Sequence, residues 1–292
     1  MNKFNAIIIK CISNQYRVVD INGKEYDALA MGKLRKGLSP LVGDYVVVEK
    51  INDKYCIQKI NKRKNELIRP SIANVDQAII LMSCKDPDFS TTLLNRLLIV
   101  VMYAKIEPII LISKTDIADN LEDIKEIMSH YIESGYKVYY SSMNSDTSML
   151  KEIFENKISV LTGQSGAGKS TLLNKIDDNL KLATQVISKA LGRGKHTTRH
   201  CELYKIYGGW IADTPGFSSL DFEYMDLISL RDSINDFKPF INQCKYNNCL
   251  HINEPSCAVK SALEKNDCRV NKYIYDDYVE ISNIVKNKKI KY

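Results

Sequence analysis

Gly163-Gln164-Ser165-Gly166-Ala167-Gly168-Lys169-Ser170 has the form G-x-x-x-x-G-K-[ST]. It follows the apolar run 158–162 and opens a helically patterned stretch at 169–176. Strand, glycine-rich loop and helix in that order are the context a phosphate-binding loop requires. The glycines let the backbone wrap closely and aim its N–H groups at phosphate oxygens, and the helix N-terminus adds its positive end. Lys169 is expected to reach the β- and γ-phosphates, Ser170 to ligate Mg²⁺, and Thr171 to lie beside them at the helix start. A chance match in a chain of this length is of order one in a hundred, so a nucleoside triphosphate site is expected.

Outward from this loop, apolar strand-like and helical segments alternate. Strands are predicted at 75–82, 108–112, 137–140 and 158–162, and helices at 93–104, 121–133 and 147–154. That alternation predicts a parallel sheet covered on both faces. Two further strands are predicted at 203–207 and 210–212.

Asp213-Thr214-Pro215-Gly216 follows the second of these. A carboxylate there can hold Mg²⁺ through water, and the Gly216 N–H can contact a γ-phosphate. Ser113-Lys114-Thr115-Asp116 follows the strand at 108–112 and has the form of a guanine-recognition loop, N-K-x-D, with Ser113 in place of the Asn. Asp116 would accept from guanine N1–H and N2–H₂ while the Lys114 stem packs along the base. A hydroxyl at 113 can partly substitute for the loop-bracing hydrogen bond. Ser141-Ser142 could supply the backbone N–H facing guanine O6. Guanine recognition therefore precedes the phosphate loop along the chain, an order that joining old termini and opening a new loop produces.

Between the phosphate loop and Asp213 lies a switch region, 184–200, containing Gly192-Arg193-Gly194-Lys195-His196-Thr197-Thr198-Arg199. Thr197 or Thr198, with Thr198 favoured, is expected to close over the γ-phosphate and Mg²⁺. Phe217 stands where Ras-like enzymes carry a water-orienting Gln. His196 is the nearest group able to take that role.

Cys244-x4-Cys249-x-His251-x5-Cys257 offers three thiolates and an imidazole within a short polar segment. Cys₃His is a closed tetrahedral set, so one structural zinc per chain is expected, supplying folding free energy that the segment lacks. The other five of the eight cysteines are scattered and read as free thiols. Beyond them, Val270, Ile274, Tyr278, Ile281 and Val285 share one helical face.

Residues 1–65 read as five short strands, 4–12, 16–21, 25–30, 45–49 and 55–60, with turn chemistry at Asn22-Gly23 and Asn52-Asp53. That pattern fits an OB-fold barrel. The polar stretch 61–65 reads as a linker. Residues 1–69 carry a net charge of +7 and the rest of the chain −1, with Lys33, Arg35 and Lys36 together in the longest connection. Such asymmetry suggests that RNA phosphates contact this barrel. The longest apolar run, 97–104, has eight residues. That is far short of the roughly 20 a spanning helix needs, and 6–9 is too short for a signal-peptide core. No membrane partner and a cytoplasmic location are therefore expected.

Taken together, the basic barrel, S-K-T-D, G-Q-S-G-A-G-K-S, G-K-H-T-T, D-T-P-G-F and C-x4-C-x-H-x5-C resemble, in this order, the RsgA (YjeQ) circularly permuted GTPases. Pro40-Leu41-Val42-Gly43-Asp44 also resembles that family. The resemblance implies an α/β chain of three parts. These are an OB-fold RNA-binding domain (1–65), a circularly permuted P-loop GTPase domain (66–222) and a helical zinc-binding domain (223–292). It further implies Mg²⁺-dependent GTP hydrolysis stimulated by the small ribosomal subunit, a role in that subunit's late maturation with rRNA as partner, and His196 positioning the attacking water. A monomer is expected. The rival readings are a GTP-dependent switch without an RNA role and a zinc-stabilised RNA-binding module with an inactive nucleotide site.

Overall fold

The computed structural model describes residues 3–12, 15–35, 38–67, 71–143, 148–176, 201–213, 222 and 224–288. The chain forms two compact units. One comprises Met1–Gln77, Asp146–Leu161 and Ser170–Phe217, the other Ala78–Ser145, Thr162–Lys169 and Ser218–Tyr292.

The first unit begins with strands β1 (Lys3–Ile12), β2 (Gln15–Asp20), β3 (Glu25–Ala30), β4 (Tyr45–Ile51) and β5 (Lys54–Ile60). They are ordered β1-β2-β3-β5-β4, and β4 closes back on β1 through Lys3↔Glu49 to Ile7↔Tyr45. Only the β3–β5 pair is parallel, the OB-type closure the five-strand pattern predicts. Period-two alternation turns Ala6, Ile8, Val18, Ala28, Val46, Val48 and Ile57 inward, all buried. Asp20 locks the β2–β3 turn: its Oδ1 accepts from Asn22 N and Lys24 N, and its Oδ2 from Tyr26 Oη. A single turn of helix, α1 (Gly32–Arg35), lies between β3 and β4.

The stretch 61–65 is not the loose linker its polarity suggests. Arg63 grips the fully buried Asp44 carboxylate with Nε and Nη2, both at 2.7 Å, and donates to Ser39 O and Glu66. Asn65 exchanges two hydrogen bonds with the Val75 backbone. A short hairpin, β6 (Glu66–Leu67) with β7 (Ile72–Ala73), follows.

Four further elements, wholly or largely in this unit, are α4 (Ser148–Phe154), β11 (Ile158–Gly163), β12 (Glu202–Ile206) and β13 (Gly209–Asp213). β13 runs parallel to β11, with Val160↔Ala212 in register. β12 folds back on β13 antiparallel through Tyr207-Gly208, both at positive φ, as a two-residue hairpin turn demands. The sheet is therefore mixed, where strand-helix alternation alone predicted a parallel one. β12 also pairs with barrel strand β1 at Lys10↔Glu202, a pair reinforced by an ion pair at 2.7 Å.

In the second unit β8 (Gln77–Ser83) is buried along its length, and β9 (Glu107–Ser113) and β10 (Lys137–Tyr140) pair parallel from Lys137↔Ile109 onward. Helix α2 (Thr91–Tyr103) starts at Ser90, whose hydroxyl caps Leu93 N, and buries Leu94, Leu97, Leu98 and Val101. Helix α3 (Leu121–Glu133) buries Ile124, Met128 and Tyr131. Among the described residues, no helix is long and apolar enough to cross a membrane.

The C-terminal part of this unit holds α6 (Leu227–Ser233), a 3₁₀ turn (Asn235–Phe240), α7 (Ala258–Glu264) and α8 (Lys272–Lys286). The apolar face Val270, Ile274, Tyr278, Ile281 and Val285 is buried as its spacing predicts. Helix α8 packs on α2, where buried Asn95 donates to Tyr273 O and Asp277 and accepts from Tyr131 Oη. Buried Asp236 accepts from Tyr136 Oη at 2.6 Å and from Asn271 N at 2.8 Å, and burial raises its carboxyl to about 6. These buried polar groups fix one docking geometry for the helices, because each would be left unpaired in any other.

Candidate functional site

The phosphate loop leaves β11 at Gly163, whose φ is 129°. A Cβ there would collide with the Leu81 carbonyl, so only glycine lets the loop pass β8 this closely. Gly166 and Gly168 are also at positive φ. Ala167 is fully buried, and its N–H donates to Gln164 O. Helix α5 (Lys169–Ile176) then begins, with Ser165, Ser170 and Thr171 exposed at its mouth. The Lys169 ammonium turns back over the loop, donating to Gly163 O at 3.0 Å and Gln164 O at 2.7 Å. Partial burial holds its pKa below the ordinary lysine value. A half-desolvated cation and a helix N-terminus at one mouth make an anion site.

The guanine-type loop stands against this one. Buried Ser113 places Oγ 2.7 Å from Ala167 O and 3.2 Å from Met82 O. Its hydroxyl thus ties the base loop to the phosphate loop, the brace that an Asn would otherwise provide. Lys114, at φ 58°, directs Nζ to Lys85 O and Asp86 O. Thr115 N and Oγ1 each donate to Ser141 O at 3.3 Å, and Ser141 N donates to Ile112 O. Exposed Asp116 accepts from Met143 N at 3.2 Å through Oδ1. Ser113, Lys114, Thr115, Asp116 and Ser141 are therefore brought together with residues 163–169, and Ser142 adjoins them.

Asp213 ends β13, one residue past the Val160↔Ala212 pair and beside β11, whose end leads into the phosphate loop. Its side chain lies outside the described residues, as do those of Lys33 and Arg35. His196, Thr197, Thr198, Gly216, Phe217 and Lys36 lie outside them entirely.

Cys244, Cys249, His251 and Cys257 bring their four ligand atoms within 4.8 Å of one another. Tetrahedral bonds of about 2.3 Å to sulfur and 2.0 Å to nitrogen separate two sulfurs by about 3.8 Å and sulfur from nitrogen by about 3.5 Å. Here Cys244 Sγ is 3.9 Å from Cys257 Sγ and 3.5 Å from His251 Nδ1, and Cys257 Sγ is 3.3 Å from that nitrogen. Burial holds His251 at about 4, so its imidazole is neutral and able to ligate. Burial also pushes Cys249 up to about 12, a cost that a bound divalent cation offsets by favouring thiolate. The residues fit zinc.

Surrounding groups fix the zinc loop. Glu254 accepts from Leu250 N, Ile252 N and Asn253 N, and Arg231 donates to Asn247 O and Cys249 O. Tyr275 and Tyr278 of α8 donate to His251 O and Leu250 O. The motif spacing marks the four ligands, whereas Arg231, Glu254 and the carbonyls of Lys85 and Asp86 carry no sequence signature.

A phosphate loop braced to a guanine-type loop that precedes it in the chain, with Asp213 beyond both, defines a circularly permuted P-loop GTPase. A family model described as RsgA GTPase matches residues 60–223. The chain is 46% identical to small ribosomal subunit biogenesis GTPase RsgA 2 of Oceanobacillus iheyensis and 44% identical to RsgA of Bacillus subtilis, over 98% of each chain in both cases. Its fold matches YloQ, described as a circularly permuted GTPase, with TM-score 0.83 at 39% identity over 99% of this chain and 97% of that one. It matches YjeQ from Thermotoga maritima, also at TM-score 0.83, with 29% identity over 98% and 100%. The chain belongs to the RsgA GTPase family.

Proposed function

We propose that the chain hydrolyses GTP to GDP and phosphate when stimulated by the small ribosomal subunit, and so assists that subunit's late maturation. The observation that carries the reading is the Ser113 brace, which builds base recognition and phosphate binding into one site. Relatives named as small ribosomal subunit biogenesis GTPases support the choice of partner.

In this reading the chain divides into 1–65 for RNA, 66–222 for GTP and 223–292 for zinc. Asp116 and Lys114 hold the base, with Ser113, Thr115, Ser141 and Ser142 shaping its pocket. Residues 163–171 and Gly216 hold the phosphates. Ser170, Thr198 and Asp213 would hold Mg²⁺, which neutralises phosphate charge when bound with the nucleotide. Lys169 stabilises charge developing on the γ-phosphoryl oxygens, and His196 orients the attacking water. The protein acts as a monomer in the cytoplasm without membrane attachment.

Because Phe217 cannot orient water, His196→Ala is expected to leave nucleotide affinity near wild type and to lower subunit-stimulated turnover by roughly a hundredfold or more. GTP turnover with and without purified small subunits measures this. A wild-type stimulated rate in the variant removes His196 from the reaction, and turnover insensitive to subunits removes the partner.

Net charge of +7 over residues 1–69 supports rRNA contact through Lys33, Arg35 and Lys36. Replacing all three by Ala should weaken subunit binding and flatten its salt slope by up to roughly one unit per lost contact. Intrinsic GTP turnover should stay unchanged. Identical affinity and salt slope in the triple variant would move RNA contact to another surface.

A further inference from the structure

The segment 85–88, between β8 and α2, matches no nucleotide-binding motif, yet both halves of the nucleotide site hold it. From the base side, Lys114 Nζ donates to Lys85 O and Asp86 O. From the phosphate side, Gln164 Nε2 donates to Asp88 O at 2.8 Å, while its Oε1 lies 3.4 Å from Ser83 N. Ser83 Oγ closes the near end on Lys85 O at 2.6 Å, and Pro87 Cδ lies 3.3 Å from where a Gly166 Cβ would stand.

The far side of the segment faces a cavity of about 690 Å³, lined by Cys84, Lys85 and Phe89 on one wall and by Asp119, Ile124 and Ile127 among the residues opposite. Asp86 and Asp88 are exposed. Hydrogen bonds from Lys114 and Gln164 thus tie the segment to both loops, beside the Ser83 bond and a Lys85–Asp119 ion pair at 2.7 Å.

We infer that segment 85–88 is a shared scaffold of the nucleotide site, and that Gln164 is the positioning residue through which it sets how long guanine nucleotide stays bound. The inference rests on the nucleotide-site reading above and adds to it. Two carbonyls fix the Lys114 ammonium and so hold its stem in line with the base. Gln164 anchors the same backbone to the second residue of the phosphate loop. Loosening the anchor displaces the base wall and the phosphate wall together, so its effect falls on nucleotide release and not on the chemical step.

The test is release of a fluorescent GDP analogue chased with excess GDP. Gln164→Ala removes both side-chain bonds. Gln164→Glu keeps size and the acceptor facing Ser83 N, and removes only the donor to Asp88 O. Both variants are expected to release GDP up to about tenfold faster, the upper end of what one intramolecular hydrogen bond contributes. In stimulated turnover the loss should fall more on KM for GTP than on kcat. If Gln164 acts through the segment that fixes Lys114, adding Gln164→Ala to Lys114→Ala should change release little beyond Lys114→Ala alone. Wild-type release in both Gln164 variants, or multiplied rates in the double variant, overturns the inference. A wild-type chain that binds no guanine nucleotide overturns the underlying reading instead.

Discussion

Stripping the chain with a strong zinc chelator is expected to release about one zinc and expose residues beyond 240 to protease, while GDP binding survives. Structural zinc contributes an apparent ~10–16 kcal/mol in zinc-finger peptides, comparable to the ~5–15 kcal/mol that separates a whole domain from its unfolded state. The zinc segment has little apolar core to replace that. Among residues 244–257, only Cys249, His251 and Cys257 are buried. Without metal, burial keeps Cys249 and Cys257 as thiols beside the neutral His251 imidazole, and no cation draws the ligands together. Loss should spread to α8, since Tyr275 and Tyr278 donate to carbonyls of the same loop. Limited proteolysis with and without chelator, alongside fluorescent GDP binding, reads both halves. Unchanged protease resistance after residue 240 in metal-free protein would refute a structural zinc. Cys257→Ser should reproduce the chelated state at any zinc concentration that leaves wild type intact.

Asp116→Asn should turn base preference from guanine to xanthine. A carboxylate accepts from guanine N1–H and N2–H₂ together, whereas a carboxamide presents one acceptor and one donor. Xanthine carries an oxygen in place of the N2 amine and so matches the carboxamide. Hydrogen bonds to a charged group contribute about 1.5–3 kcal/mol each, so two put the swing at roughly two to four orders of magnitude. The Asp116 carboxylate is pre-oriented by Met143 N, and an Asn Oδ1 can accept the same bond, so the loop should survive the change. Competition among GTP, XTP and ATP against fluorescent GDP gives the ranking for wild type and variant. Equal wild-type affinity for ATP and GTP would end the guanine assignment.

Much of this site is legible in the sequence because its chemistry sits in side chains at fixed spacing. The phosphate-loop glycines, Lys169 and the Cys₃His spacing are of that kind. Helix α3 and strand β10 read with their observed bounds, since an amphipathic repeat and a short β-branched and aromatic run each stand between clear breaks. Other features arise from pairings between distant residues. Arg63 reads as one basic residue in a polar run until Asp44, nineteen positions earlier, is brought against it. The β12–β13 hairpin was hidden because Tyr207-Gly208 does not read as a turn until the strands on either side are known to pair. Segment 85–88 acts through backbone carbonyls, which every residue type possesses.

The Arg63–Asp44 pair also decides how a salt titration of subunit binding is to be interpreted. Dissolved ions attenuate exposed charges over a Debye length of about 10 Å at 0.1 M, but they reach a fully buried carboxylate and a nearly buried guanidinium far less. The stretch leading out of the barrel is therefore splinted by an interaction that added electrolyte leaves in place. In a protein whose linker loosened with ionic strength, lost affinity would mix two causes, displaced counterions and a wandering module. Here the first dominates, and if the proposed rRNA contact holds, the logarithmic slope becomes a tally of the phosphates the barrel would neutralise.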